Sequence, residues 1–138
     1  MGNRAYIKLQ HMDSGIYLHW NGGPDSVTAF LRYCELSGFR CDDTGIARLC
    51  QVTANWFPDG LSVALMEGPF AHSSNPGDNG IYEIRDWRIV RHMDKDGNVQ
   101  ERDEDIRRWM EENSEGYDIE KMLHDINLSM PWRFRLKS

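Results

Sequence analysis

Two short segments near the start of the chain alternate apolar and polar residues, and this alternation limits the fold more than any other feature. Residues 4–10 and residues 16–20 both show the period of two that is typical of a strand with one buried face. The residues between them include Asp13, Ser14 and Gly15, which favour a tight loop. We therefore expect an antiparallel hairpin, because a parallel pair needs a crossover of a dozen or more residues.

Helical spacing follows the hairpin and returns near the end of the chain. A first helix is predicted to begin at Pro24 and to end at Gly38. A second helix is predicted from Asp43 or Thr44 to the turn Pro58-Asp59-Gly60. Strands are predicted over residues 61–66, 80–85 and 87–93, with a loop over 67–79 and turns near Asp86 and at residues 94–97. Two further helices are predicted, one capped by Asp103 or Asp105 and the other by Asp118. The order ββ–αα–βββ–αα favours one α+β domain over residues 1–138, with a mostly antiparallel sheet and helices packed on one face.

The net charge of −6 argues against general nucleic-acid binding, because such proteins must neutralise phosphates. It is compatible with a basic partner protein, or with a small ligand held in a local positive pocket. No apolar run approaches the roughly 20 residues of a membrane span, and no signal peptide is visible. Three cysteines, an odd number without a close pair, favour a reducing and therefore cytoplasmic location. The oligomeric state is left open.

A double glycine marks the junction between the second strand and the first helix. Gly22 and Gly23 permit positive φ and close approach to the backbone, and amides at a helix N-terminus bind anions. One interpretation is an ordinary strand-to-helix turn. The other is a site for a small phosphorylated ligand, with Arg48 as the cation and Trp20 or Trp56 as an aromatic wall. The alternative for Arg48 is a buried structural tie, since most polar groups at the edge of a core are satisfied internally. The candidate ligand-binding residues are Trp20, Asn21, Gly22, Gly23, Asp25, Ser26 and Arg48.

Residues 21–26 (NGGPDS) resemble the SGGxDS loop of PP-loop ATP pyrophosphatases, although Asn21 replaces the serine. That resemblance implies an ATP-using enzyme with a loop that follows a central parallel strand. The preceding segment alternates and contains His19, whereas a central parallel strand is almost wholly apolar. An enzyme of this kind is therefore only a further alternative.

A second resemblance covers most of the chain. The segments that carry it are residues 2–5, 15–23, 25–27, 45–52, 77–82, 86–90 and 117–120. They resemble, in order, a family of small bacterial and phage proteins. The resemblance implies an accessory role in a phage or mobile element, including counter-defence against the host. The chain departs from the family pattern at Pro58-Asp59 and around residues 100–115.

The acidic stretch over residues 101–117 is the candidate surface for blocking a host protein, with Trp109 as an aromatic anchor. Such a charge run is otherwise a solvated helix face. The candidate protein-binding residues are Glu104, Asp105, Trp109, Glu111 and Glu112. No nucleophile motif, metal-ligand spacing or cofactor motif is present, so we expect a non-enzymatic binding protein without metal or cofactor. Residues 132–138 are predicted to be a short tail.

Overall fold

The hairpin predicted from the N-terminal alternation is present in the computed structural model, which describes residues 3–57, 62–66 and 77–137. Strands β1 (Ala5–Leu9) and β2 (Gly15–Leu18) pair antiparallel, with Ile7 opposite Ile16. The next strand, β3 (Val63–Met66), pairs antiparallel with β2. Strand β2 therefore lacks the parallel neighbours that a PP-loop requires.

The sheet has six strands among the described residues. Strands β4 (Ile81–Arg85), β5 (Arg88–Met93) and β6 (Val99–Gln100) complete it in the order β3-β2-β1-β4-β5-β6. Of these pairs, only β1 and β4 are parallel. The two-residue strand β6 was not predicted, because it is too short to show a period. The turn before it was predicted, and there the Asp94 carboxylate accepts hydrogen bonds from the amides of Asp96 and Asn98.

Four α-helices were predicted, and the described residues contain four. They are α1 (Pro24–Leu36), α2 (Asp43–Trp56), α3 (Asp103–Glu112) and α4 (Ile119–Ser129). Asp42 caps α2 by accepting from the Gly45 amide, and Asp118 caps α4 by accepting from the Lys121 amide. A 3₁₀ turn, Trp132–Phe134, follows α4.

Alternation in β1 divides the sheet into two faces. Ala5, Ile7 and Leu9 are buried in one large core cluster with the apolar sides of α1, α2 and α4. Tyr6 lies on the opposite face, where it forms a small cluster with Ile81. Helix α1 packs against α2 and α4, while α3 packs against β5 and β6. The α+β class and the helical layer are thus as predicted.

The predicted turn near Asp86 joins β4 to β5 through two residues of positive φ, Asp86 at 53° and Trp87 at 63°. Two such residues are the requirement of a type I′ hairpin turn. Two hydrogen bonds hold Trp87 in this conformation: its indole N–H donates to the Phe39 carbonyl (2.7 Å) and its amide donates to the Cys41 sulfur (3.2 Å).

Two predicted features, the turn at Pro58-Asp59-Gly60 and most of the loop over residues 67–79, lie outside the described residues. Within the described part of the chain, no helix has the length and apolar character needed to cross a membrane.

Candidate functional site

Gly22 lies where the segment that leads into β1 passes closest to the loop between β2 and α1. Its amide donates to the Asn3 carbonyl (2.8 Å), and its carbonyl accepts from the Tyr82 hydroxyl (2.8 Å). A Cβ atom at this position would lie 2.6 Å from the Asn3 carbonyl oxygen and 2.8 Å from the Ala5 Cβ. The glycine therefore serves the close approach of the protein's own backbone, which needs no bound ligand as an explanation.

Asn21 and Ser26 also have structural partners. Asn21 has a φ of 56°, a left-handed conformation that asparagine adopts more readily than most residues. Its side-chain amide donates to the Ser26 hydroxyl (3.1 Å), and Ser26 is buried. The side chains at both ends of residues 21–26 thus stabilise the turn itself.

Asp25 connects the first turn of α1 to the loop between α3 and α4. Its Oδ2 atom accepts three hydrogen bonds, from the Ser114 hydroxyl (2.9 Å), the Glu115 amide (3.0 Å) and the Tyr117 amide (3.1 Å). These residues are about 90 positions away along the chain. The carboxylate therefore acts as a long-range structural link.

A second carboxylate lies beside Gly23. A Cβ atom on Gly23 would be 2.6 Å from Oε1 of Glu115, and the same oxygen accepts from the Asn3 side-chain amide (2.6 Å). Burial, above all, and the negative charges of Asp25 and Glu115 raise the pKa of Tyr82. Two carboxylates at the start of α1 repel a phosphate, which makes this end of the helix a poor anion site.

The structure does not bring Arg48 to the glycine loop. Arg48 is exposed on α2 and lines a groove with Leu36 and Phe39, at the C-terminal end of α1. The loop is at the other end of this 13-residue helix, about 20 Å away at 1.5 Å per residue. The predicted ligand set is thus wrong in its cation, because the helix separates Arg48 from residues 20–26.

The small cavity beside the loop does not replace the missing cation. It measures about 200 Å³ and is lined by Asn21, Trp56 and Lys121, together with Asp118 and Asp125. Of the two tryptophans considered as an aromatic wall, Trp56 lines this cavity and Trp20 does not. The Lys121 amine already pairs with Asp125 (2.9 Å). The volume is below the roughly 300 Å³ at which small-molecule sites begin.

The predicted anchor on α3 faces inward. The Trp109 ring centroid lies 3.7 Å from that of His92 and 6.0 Å from that of Tyr82. His92 is fully buried, with its Nε2 2.6 Å from the Asn79 carbonyl and its Nδ1 2.7 Å from the Gln100 side-chain oxygen. Trp109 therefore packs within the fold and does not stand as an exposed anchor, which corrects the prediction.

The carboxylates of α3 are close to arginines of the same segment. Glu104 pairs with Arg102 (3.1 Å), and Asp105 pairs with both Arg102 (3.0 Å) and Arg108 (3.7 Å). Glu111 and Glu112 are exposed at the end of the helix. Glu104 and Asp105 are thus compensated within the segment, whereas Glu111 and Glu112 form no salt bridge with any described residue. A surface of mixed charge is typical of a solvated helix face.

Residues 132–137, which belong to the segment predicted to be a short tail, are held against the end of α4. The Arg135 guanidinium donates to the carbonyls of Leu128 and Met130 (both 2.9 Å), at the negative end of the helix dipole. The Asn127 side chain accepts from the Leu136 amide (2.6 Å) and donates to the Leu136 carbonyl (3.3 Å). The tail is thus a fixed part of the surface.

This fixed segment exposes large aromatic side chains. Trp132 is 79% exposed and Phe134 is 60% exposed. The Arg133 guanidinium carbon lies 5.7 Å from the centre of the Phe134 ring. Tryptophan and arginine are the residue types over-represented at the energetic centres of protein interfaces. We call the following residues the tail surface: Leu36, Arg48, Trp132, Arg133, Phe134 and Lys137.

A groove of about 510 Å³ adjoins Phe134 and runs between the ends of α1 and α4 and the start of the tail. Apolar side chains supply most of its wall; they are Leu36, Phe39, Met130, Phe134 and Leu136. Arg48, Arg135 and Lys137 also line it. We call this cavity the tail groove. In the sequence, Trp132, Phe134 and Leu136 alternate with three basic residues, and this pattern is the signal that could have indicated the exposed segment.

A second groove, of about 470 Å³, lies between α1 and α3 above Trp87. An ion pair joins two of its lining residues, Arg88 and Glu35 (3.6 Å), and its other cation, Arg32, pairs with Glu120 (2.9 Å). The charges of this groove are therefore already compensated within the protein.

The described residues contain no group of three histidine, cysteine or acidic side chains placed to hold a metal ion. Comparisons with protein-family models, with curated proteins and with solved structures found no match. The resemblance to phage proteins and the roles that it implies therefore stay predictions.

Proposed function

We propose that this protein binds a partner protein through the tail surface and has no catalytic activity of its own. The observation that carries the proposal is the exposure of Trp132 and Phe134 on a segment that hydrogen bonds hold in place. Large apolar side chains exposed on a rigid support are typical of interaction sites.

The glycine loop supports this choice by contrast. Asp25 and Gly22 make contacts within the protein that account for their presence. Arg48, the cation proposed for a phosphate site, lies at the tail groove instead. The features that suggested a small ligand or an ATP-using enzyme thus have structural explanations, while the exposed aromatic residues have none.

The proposed partner is a host protein that the binding blocks, as in a phage or mobile-element accessory factor. This part of the proposal rests on the resemblance of residues 15–23, 45–52 and 77–82 to the family of small phage proteins. The exposure of the tail surface does not depend on that resemblance, so its binding role can be tested before the partner is known.

The test is site-specific photocrosslinking in bacterial lysate. Phe134 is replaced with the photoreactive analogue benzoylphenylalanine, which keeps an aromatic ring at the same place. The matched control carries the analogue at Leu65, which is 73% exposed on β3, away from the tail. We expect a discrete adduct from position 134, none from position 65, and loss of the adduct when excess unlabelled protein is added.

Competition with unlabelled variants identifies the surface through which the partner forms the adduct. Excess Trp132→Ser protein is expected to compete poorly, whereas excess protein with Glu104, Asp105, Glu111 and Glu112 all changed to lysine is expected to compete as well as the unchanged protein. The reverse order would place the binding surface on α3 and reject the tail surface.

A further inference from the structure

The basic residues of the tail surface form no salt bridge with any residue that the structure describes. The arginines at positions 4, 32, 40, 88, 91, 102 and 108 and the lysines at 8 and 121 each form a salt bridge. Across the described residues, Arg48, Arg133 and Lys137 form none, and neither do Arg85, Lys95, Arg107 and Arg135. The Arg48 guanidinium donates to the neutral side chain of Gln51 (2.9 Å).

Such a cluster is unexpected in this chain. The protein has 22 acidic and 16 basic residues, so its net charge is negative. Arg48 and Lys137 line the tail groove, and Arg133 lies beside Phe134, so these exposed cations create a local positive potential on a negative protein. A potential of this kind attracts anionic groups and orients their approach.

The tail groove sets a second requirement for its occupant, which is an apolar side chain. Its wall is mainly apolar, and about 510 Å³ is enough to receive one or two large apolar side chains. A bare phosphate or carboxylate would gain little from such a wall. The occupant must therefore present apolar and negative groups together.

We infer that the partner presents an acidic segment, which places an apolar side chain in the tail groove and its carboxylates against Arg48, Arg133 and Lys137. The inference rests on the proposed function, since it names the chemistry of the partner at the same surface. The apolar side chain supplies most of the affinity, and the carboxylates supply the choice of partner and the rate of association.

Single-stranded nucleic acid is the competing anionic occupant, because basic residues that alternate with aromatic ones also bind it. The apolar wall of the groove and the net charge of −6 favour the acidic peptide. The acidic helix α3 of a second copy is another competitor. Both are separate outcomes of the experiment below.

The experiment selects random 12-residue peptides by display on the purified full chain and measures their binding by fluorescence anisotropy. We expect the selected peptides to be enriched in aspartate and glutamate around one large apolar residue. Their affinity is expected to fall about five- to thirtyfold for Phe134→Ser. It is also expected to weaken as salt rises, because exposed charges are screened.

A pair of triple variants isolates the charge contribution. Changing Arg48, Arg133 and Lys137 to glutamate should weaken binding by about two- to fivefold for each charge at low salt. The matched control changes Arg85, Lys95 and Arg107, which lie outside the tail surface, to glutamate. It alters the net charge equally and is expected to leave the affinity within about twofold. Circular dichroism confirms that each variant is folded, and Trp132→Ser provides a second test of the aromatic contribution.

Each result decides between the proposals. Peptides that depend on Phe134 but show no acidic bias, or that tolerate the tail charge reversal, overturn this inference and leave the proposed function intact. Absence of any peptide whose binding depends on the tail surface counts against both. Displacement of a selected peptide by a 20-nucleotide oligothymidine overturns the acidic-peptide inference in favour of nucleic acid. A dimer that both Phe134→Ser and the α3 charge reversal abolish overturns it in favour of a second copy.

Discussion

Replacing Asp25 with alanine separates a structural role for the glycine loop from a ligand-binding role. In the structure, one carboxylate oxygen accepts hydrogen bonds from the Ser114 hydroxyl and from two backbone amides of the α3–α4 loop. The substitution removes all three bonds and the contact between the start of α1 and that loop. We therefore expect a loss of stability rather than a selective loss of binding.

The magnitude follows from the kind of bonds that are lost. A hydrogen bond to a charged group contributes about 1.5–3 kcal/mol when water is excluded. These three bonds are exposed, so water partly replaces them, and we expect a total loss of about 2 kcal/mol. At about 2.1 cal/mol/K per residue, the unfolding entropy of 138 residues is about 290 cal/mol/K. The expected decrease in Tm is therefore about 7 °C.

Thermal unfolding followed by circular dichroism measures this decrease, and Asp96→Ala is the matched control. Asp96 is exposed in a turn, and only its backbone amide forms a described hydrogen bond, so its loss should change Tm by less than about 2 °C. Amide exchange at Glu115 and Tyr117 should accelerate in the Asp25 variant alone. A Tm that barely changes, combined with loss of the adduct at position 134, would refute the structural role and restore the loop as a functional site.

Three further predictions test the junction and the inward face of α3. In urea unfolding, Gly22→Ala should destabilise the protein by at least about 2 kcal/mol, because backbone atoms block the new methyl group. The methyl group of Gly23→Ala meets only the flexible end of Glu115, so that variant should lose about 1 kcal/mol of stability or less. Burial, more than any other effect, lowers the pKa of His92. The unfolded chain therefore binds this proton more readily than the folded one, so the stability that neutral His92 contributes is complete above pH about 6.5 and is lost as the pH falls through the lower folded pKa. NMR titration of His92 should give a pKa below 6.5, and an ordinary or raised value would contradict the assignment. Trp109→Ala should cost about 2–4 kcal/mol while the folded variant keeps the adduct at position 134, and the opposite pattern would return Trp109 to the binding surface.

The sequence was sufficient for most of the fold because local signals agreed with one another. Alternation predicted β1 and β2, and Pro24 marked the first residue of α1. Strand β6 and the parallel pairing of β1 with β4 could not be predicted. The first has too few residues for a pattern, and the second depends on which strands meet after a long excursion of the chain.

The candidate sites were harder to predict because they depend on the direction in which side chains point. Arg48 was paired with the glycine loop by chemistry alone, and α1 places the two at opposite ends. Trp109 was assigned to a partner, although it is three residues after the buried Ile106 and therefore shares its side of the helix. That spacing was sufficient to place Trp109 inward.

The tail was overlooked because a short terminal segment has no periodic element to predict. Its composition was nevertheless informative, since Arg133, Arg135 and Lys137 are three of the 16 basic residues and occur within five positions. The sequence did not reveal that these three residues make different contacts. Arg135 donates to the carbonyls of Leu128 and Met130, whereas Arg133 and Lys137 form no salt bridge with any residue that the structure describes.

The attachment of the tail supports the proposed binding role of the tail surface. An exposed aromatic residue on a mobile terminus would lose conformational entropy on binding, which offsets much of the gain from burying its ring. Here the Asn127 side chain pairs with both backbone groups of Leu136, and Arg135 fixes the segment to the end of α4. Folding has therefore already ordered the backbone that carries Phe134, so the burial of its ring contributes more directly to affinity. The same reasoning separates this segment from the glycine loop. In the loop the polar groups satisfy one another, whereas in the tail they hold apolar and basic side chains in positions that the fold itself leaves exposed.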